Sequence, residues 1–373
     1  MSLPSSMKAV VIENGKAVIK SDVPLPHLPE GYLMVKSEAV GGNPTDWKHI
    51  AFKIAPEGSL EGCDVAGHVV AMGSAVDPSE FHIGDPVFGF VQGCSADTPD
   101  NGAFAEYVAL DANLTFAAPK TIGFSGSAII PAGPVSTWES AASIPLAWST
   151  AATAVFHNLG MKFDWMPEKP QRDFPILIWG GSSIVGQAAI QFAKKYHGYS
   201  KIIAVASSKH ESLLKSYGAD DVFDYHDSDV IDQIKAKYPV IPHLLDLIST
   251  EQTFKQVYEC APETGDAVLI NFFRGSIEYI PEGERKQNVK VLDNAVFLSL
   301  GHDLTIGGYH IKADLKQAAT IHKFAREINP KLINGDFCAP EVKVYRGLEG
   351  TIQIMDDLEA GKASGNKLCA VMK

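Results

Sequence analysis

Apolar residues in the first third of the chain fall into short runs set among polar and turn-forming positions: MKAVVIE, KAVIK, YLMVKSEAV, GHVVAMG, DPVFGFV and AFAEYVAL, separated by Gly, Pro, Asn and Asp. This spacing predicts a twisted, mostly antiparallel β-rich domain. Near residue 138 the pattern changes to WESAASIPLAWSTAATAVFHNLG, Ala-rich and helix-like but interrupted at Pro145, and a domain boundary is expected there. After a loop rich in Pro and charge, DWMPEKPQRD, strand-like and helix-like segments alternate. They are FPILIWG, a helix through Gln187, KIIAVAS, HESLLKSYG, DVFDY, IDQIKAKY, HLLDLIS and a helix near residue 255. Alternation at this spacing implies right-handed crossovers and a parallel sheet covered on both faces, the doubly wound α/β architecture.

The segment NAVFLSLG, residues 294 to 301, reads as a strand late in that second domain. Beyond about residue 310 a helix, KQAATIHKFAREIN, is followed by short strands, EVKVY and KLCAVMK, which predicts a return to the first domain. The expected division is therefore residues 1–145 with 312–373, and residues 146–311.

Composition narrows the class. A chain of 373 residues, 46% hydrophobic and 20% charged, has material for about two folded cores. Its 32 basic and 44 acidic side chains give a formal charge of −12 without any basic cluster, which argues against a nucleic-acid partner. No run approaches the about 18 apolar residues needed to span a bilayer, and no membrane partner is expected. The opening MSLPSSMKAVVIENG lacks the basic start and apolar stretch of a secretory signal. Five scattered cysteines fit reduced thiols, so the expected compartment is the cytoplasm.

One short stretch carries candidate chemistry. In WGGSSIVGQAAIQFAKKYHG, Gly181, Ser183 and Gly186 form G-x-S-x-x-G between an apolar strand and a helix, a nucleotide-binding fingerprint with serine at the middle glycine. Gly181 is assigned the tight turn and Gly186 the close helix packing. The hydroxyls of Ser182 and Ser183, with the unpaired N–H groups of Ile184 and Val185 at the helix start, are the phosphate donors. A plain strand–helix corner needs the same glycines, but the surrounding repeat of strand and helix favours the binding reading.

The end of the second strand selects the cofactor. About 20 residues past Gly181, where an acid would hold the ribose hydroxyls of NADH, the chain reads Ala206-Ser207-Ser208-Lys209-His210. Ser207, Lys209 and His210 suit a 2′-phosphate instead, so NADPH is the expected cofactor and NADH the alternative. Ser208 and Glu211 have the S-x-x-E form of a capping box, which would occupy both at the helix start.

With these segments in view the chain resembles the medium-chain dehydrogenase/reductase superfamily. The resemblance rests on the domain order and on Asn43-Pro44-Thr45-Asp46-Trp47-Lys48, Gly62-Cys63-Asp64-Val65-Ala66-Gly67, Gly84-Asp85 and Gly102-Ala103-Phe104-Ala105-Glu106-Tyr107. It covers nearly the whole chain and is nearest to zinc-free fungal reductases: aldehyde reductases, trans-acting enoyl reductases and, further off, quinone oxidoreductases. It implies a GroES-like catalytic domain beside a Rossmann domain. It further implies that Thr45 and Lys48 lie beside the nicotinamide, that Thr150 touches the same ring, and that Tyr225 stands near the adenine-phosphate end.

Zinc-dependent members hold their metal with a Cys, a His-Glu pair and a second Cys, and the matching places here are Asn43, Cys63-Asp64 and Leu146. No zinc is expected from that set, none of the 12 histidines is assigned to a metal, and Cys63 reads as a core residue. Hydride transfer to a carbonyl carbon or to the β-carbon of an enone leaves negative charge on oxygen, and Lys48 and Thr45 are the candidate donors toward it. Asp46 reads as a structural acceptor within its own turn. The expected activity is zinc-independent, NADPH-dependent reduction of small aldehydes or α,β-unsaturated carbonyl compounds by a monomer or homodimer, the latter paired through residues 294–301. Alternatives are a quinone reductase, a trans-acting enoyl reductase serving a synthase, and a non-catalytic dinucleotide-binding sensor.

Overall fold

The computed structural model describes residues 3–373, in two units: the chain up to Leu146 joined by Phe297–Lys373, and Ala147–Val296. The six short apolar runs of the first third become strands β1 (Ser6–Glu13), β2 (Lys16–Pro24), β3 (Tyr32–Gly41), β4 (Asp64–Met72), β5 (Pro86–Phe90) and β6 (Tyr107–Asp111), and two further two-residue strands, β7 (Phe116–Ala117) and β8 (Ile129–Ile130), follow. Helix α1 (Pro44–Ala51) follows β3, and α2 (Trp138–Ala142) precedes α3 (Pro145–Ala152). The helix-like stretch is thus interrupted before Pro145, as expected, and Pro145 begins the second helix, as suits a residue whose missing N–H would have had no intrahelical partner.

The alternating segments form β9 (Pro175–Trp179), α4 (Ile184–Lys195), β10 (Lys201–Val205), α5 (Glu211–Tyr217), β11 (Asp221–Phe223), α6 (Val230–Lys237), β12 (His243–Asp246), α7 (Glu251–Glu259), β13 (Ala267–Asn271) and β14 (Val289–Asp293). Their strands make one six-stranded sheet in the order β11-β10-β9-β12-β13-β14, with every neighbouring pair parallel. Central strands such as PILIW and KIIAV are continuous apolar runs because helices cover both faces. Leu177, Ile203, Leu244 and Leu269 from the sheet pack with Phe254 and Val257 of α7 in its core. This is the doubly wound sheet expected of the alternation.

The tail adds β15 (Leu304–Ile306), β16 (Tyr309–Ile311), α8 (Leu315–Ile333), β17 (Glu341–Arg346), α9 (Gly347–Glu359) and β18 (Asn366–Val371). Strand β18 lies antiparallel on β3, and β17 lies parallel to β18, in an eight-stranded sheet that runs β7-β5-β4-β3-β18-β17-β8, with β6 also paired to β3. Asp314 starts α8 by accepting the N–H groups of Lys316 (3.0 Å) and Gln317 (2.9 Å). Ile321, Phe324, Ala325, Ile328 and Leu332 then recur at helical spacing on its buried face. Among the described residues no helix is long and apolar enough to cross a membrane.

Two expectations are corrected. Residues 294–301 do not form a strand: Val296–Leu300 is a 3-10 turn, and the sheet edge on that side is β14. Its fully buried Ser299 explains the shape, since the hydroxyl accepts the Gln317 side-chain amide (3.2 Å) and the carbonyl accepts His322 Nε2 (3.1 Å), both on α8. The second unit accordingly ends at Val296, not near residue 311, and the pairing of two copies expected through this segment has no strand to use.

Candidate functional site

The nucleotide turn closes β9 onto α4. Gly180, not Gly181, adopts the left-handed conformation (φ +83°), so the tight turn lies one residue earlier than the fingerprint placed it. Gly186 is required by closeness: a Cβ there would sit 2.4 Å from the Gly180 carbonyl oxygen and 2.7 Å from that of Gly181. Ser183 is the N-cap, its hydroxyl oxygen accepting the Gly186 N–H at 3.0 Å while its hydrogen remains for an outside acceptor. The carbonyl of Ser182 accepts the side-chain amide of buried Gln187 at 2.9 Å, which braces the turn from behind. The N–H groups of Ile184 and Val185 in the first turn of α4 have no intrahelical acceptor and carry the positive end of the helix dipole. These features fit a pyrophosphate.

On the neighbouring strand, β10 ends without a carboxylate, and Ser207, Ser208 and Lys209 follow it at the surface. The expected Ser208–Glu211 capping box does not form. Ser207 precedes a 3-10 turn over Ser208–His210, and Glu211 pairs with Lys215 one helical turn on (2.7 Å), so neither Ser208 nor Glu211 closes the helix start. The Ser208 N–H instead donates to Asp224 at the end of β11 (2.8 Å). Asp224 also accepts the backbone N–H (3.0 Å) and ring Nδ1 (2.6 Å) of His226, and these donors hold its carboxyl well below the usual carboxylate range. Tyr225, half exposed, lies against the His226 ring with centroids 4.1 Å apart. Burial and the Lys209 charge lower the His210 pKa, which makes this ring a neutral donor more than a second cation.

Thr150 lies on α3, buried, within the same unit as the turn. Its carbonyl accepts the side-chain amide of Asn294 (3.0 Å), whose own oxygen accepts from Asn158 (2.9 Å). Asn294 thereby ties the end of β14 to the helix that carries Thr150. No motif in the sequence signals this residue; only its burial in an otherwise apolar stretch does.

Thr45 and Lys48 belong to the first unit, on α1. Asp46 organises that helix by accepting the Asn43 N–H at 2.7 Å, the structural role expected of it. Thr45 Oγ1 is 3.0 Å from His49 Nε2. Lys48 is half-buried with its ammonium 5.7 Å from the Trp47 ring centroid, and desolvation lowers its pKa. Trp148, by contrast, is a core residue packed edge-on to Phe192.

Behind α1 lies a residue that sequence reasoning missed. Lys367, on β18, is buried and places its ammonium 2.8 Å from Asp64 Oδ2 and 2.6 Å from Asn43 Oδ1. Asn43 in turn donates to Asp64 Oδ2 (2.9 Å), and the Leu146 N–H donates to Asp64 Oδ1 (2.7 Å). The positions matched to the zinc ligands, Asn43, Cys63-Asp64 and Leu146, are thus joined to an ammonium. A Zn²⁺ ion at the same place would meet a fixed positive charge, one amide and no imidazole, and Cys63 is fully buried with burial pushing its thiol up. This set does not fit the catalytic metal. Only the register could have revealed Lys367, because pairing of Cys369 with Gly41 carries it to the end of β3.

Removing Lys367 leaves Asp64 buried and unpaired. Lys367→Met is expected to lower unfolding stability by about 3–5 kcal/mol, with partial recovery when Asp64→Asn is added, as read from denaturant midpoints.

The comparisons agree with this geometry. Residues 29–120 match the alcohol dehydrogenase GroES-like domain, and residues 185–298 match the zinc-binding dehydrogenase domain. The uncharacterized protein YNL134C of Saccharomyces cerevisiae is 48% identical over 100% of this chain and 99% of its own. Trans-enoyl reductase caaB of Aspergillus niger is 30% identical over 98% of this chain and 97% of its own. The solved structure of mycobacterial Rv1454c complexed with NADPH shares the fold, with a TM-score of 0.68 at 20% identity over 98% of this chain and 100% of that one. By sequence along its full length and by fold, the chain belongs to the medium-chain dehydrogenase/reductase superfamily of oxidoreductases.

Proposed function

We propose that the chain is a zinc-independent reductase that uses NADPH to reduce small aldehydes or α,β-unsaturated carbonyl compounds in the cytoplasm. The observation that supports the cofactor choice is the end of β10, which is followed by Ser207 and Lys209 and by no acid. The Asp224 carboxylate, which reaches this segment through the Ser208 N–H, is already committed to Ser208 and His226. Lys209 is left to meet a 2′-phosphate, with Ser207 and Tyr225 as neutral donors beside it. The mycobacterial fold relative with NADPH and the reductase name of the Aspergillus relative support the same reading. Five free cysteines suit a reducing compartment.

Bound NADPH supplies the hydride. The chain's own part is to hold the dinucleotide and to manage the charge that develops on substrate oxygen. The turn from Gly180 to Gly186 presents the Ile184 and Val185 N–H groups and the two serine hydroxyls to the pyrophosphate. On α1, Lys48 is the proton donor, and its lowered pKa brings the ammonium closer to the acidity a general acid needs. Thr45 offers a hydroxyl one position before Asp46 and is oriented by His49. Asp46 holds the first turn of the helix in place and takes no proton from substrate.

The reading is tested by NADPH oxidation with short aldehydes, enones and quinones. At least one aldehyde or enone is expected to raise the rate well above that without substrate; equal rates across the panel overturn it in favour of a binding protein, and turnover with quinones alone favours the quinone reductase. Lys209→Glu is expected to raise KM for NADPH about 10–100-fold, the loss of a charge-assisted contact of about 1.5–3 kcal/mol, with little effect on KM for NADH. A parallel change in both would remove the phosphate role. Lys48→Ala is expected to lower kcat by about 100-fold or more at unchanged KM for NADPH. Because the protonated form is the donor, wild-type kcat falls as pH rises through the lowered lysine pKa, and the variant lacks that limb.

A further inference from the structure

A second polar cluster lies beneath α1, beside the Lys367 network but distinct from it. His49 from α1, Glu61 from the segment before β4, and Cys94 from the loop after β5 are all buried. One donor atom from each lies within 4.8 Å of the others. The loop is drawn in by the Cys94 N–H, which donates to the Leu60 carbonyl at 2.7 Å, and the thiol then donates to Glu61 Oε2 at 2.8 Å. Glu61 Oε1 accepts the Gly62 N–H at 2.9 Å and stands 3.7 Å from His49 Nδ1. Among the described residues that ring nitrogen has no hydrogen-bond partner, and neither does the fully buried Asp46 Oδ1.

The charges do not balance well. Asp46, Glu61 and Asp64 are three buried carboxyl groups in one layer, and Lys367, the buried ammonium among them, is bonded to Asp64 and Asn43. Among the described residues neither Asp46 nor Glu61 shows an ion pair with a lysine or arginine, and His49 is the group that faces Glu61. Burial, with the Glu61 charge next, pushes the Asp46 carboxyl well up.

We propose that His49 Nδ1, the Glu61 carboxylate and Cys94 Sγ bind a zinc ion in the first unit, at a place distinct from the Asn43–Asp64–Lys367 contact. A nitrogen, an oxygen and a sulfur donor suit a borderline-soft ion, with a fourth position left to water. Tetrahedral bonds of about 2.0–2.3 Å separate donors by about 3.3–3.7 Å. For a nitrogen and an oxygen the expected separation is about 3.3–3.5 Å, and the His49 Nδ1–Glu61 Oε1 spacing of 3.7 Å closes by a few tenths of an ångström on binding. The Cys94–Glu61 spacing of 2.8 Å is that of a thiol hydrogen bond and opens by less than about 1 Å when the metal replaces the proton. Binding releases that proton to solvent, leaves the sulfur as thiolate, and changes no oxidation state. It also fixes the His49 tautomer: with Nδ1 on the metal, Nε2 carries hydrogen and donates to Thr45 Oγ1 across the observed 3.0 Å. The three ligands come from separate segments of the chain, so no local spacing in the sequence signals them. The proposal does not depend on the hydride chemistry above.

The test uses the whole chain loaded with zinc or cobalt and passed through gel filtration. About one zinc per chain is expected to remain. The cobalt form is expected to show the near-ultraviolet thiolate-to-cobalt band and the visible bands of a four-coordinate ion. Cys94→Ser removes the near-ultraviolet band and Cys63→Ala keeps it. X-ray absorption on zinc-loaded wild type, which needs no variant to fold, is expected to show one sulfur neighbour with nitrogen or oxygen completing the shell. Metal content at the buffer level, a sulfur count other than one, or a band that survives Cys94→Ser overturns the site. In that event Cys94 is a protonated thiol bonded to Glu61, and nothing more.

Discussion

The buried contact of Lys367 with Asp64 and Asn43 is the constraint on which the first unit turns. Asn43 precedes α1, Asp64 begins β4, and Lys367 comes from the last strand, so three segments far apart in sequence meet at one ammonium. Two charges this deep are costly to bury and costlier to separate, which gives the arrangement specificity more than net stability. The helix that carries Thr45 and Lys48 starts at that point. Its direction is therefore set by the same contact that occupies the ground of the family's catalytic metal, and the proposed proton donors inherit their placement from a lysine more than 300 residues away.

The second unit is held by different means. Its core is apolar, its strands are buried on both faces, and the proposed cofactor contacts lie at the carboxyl ends of β9, β10 and β11, where parallel sheets present loops. Close approach of the first turn of α4 to the Gly180–Gly181 backbone leaves no room for a side chain at Gly186. Asn294 supplies the polar counterpart by bonding Thr150 and Asn158 at once. The second unit is thus organised by packing, and the first by charge.

What the sequence made legible follows from this difference. The parallel sheet was readable because strands such as PILIW and KIIAV and the helices between them repeat at a period no other fold class uses, and the turn was readable because glycine and serine there have local reasons. The structural role of Asp46 and the core placement of Cys63 were also local matters. Lys367 was hidden because a lone lysine near a terminus looks solvated until β18 is registered on β3. Residues 294–301 misled for the reverse reason: an apolar run has the composition of a strand, and the bonds of Ser299 to α8 that make it a turn come from another part of the chain. The Ser208–Glu211 box failed because Asp224, from the next strand, competes for the Ser208 N–H.

Strand β18 has a consequence for how the molecule is made. It sits between β3 and β17 in the first unit's sheet, while the entire six-stranded unit lies between Ala147 and Val296. A ribosome therefore releases everything needed for the dinucleotide half before it releases the strand that finishes the other half. Until residues 366–371 emerge, β3 is open at its Ala39–Gly41 end and Asp64 has no ammonium, so the nascent first unit is an incomplete sheet that needs protection from other chains.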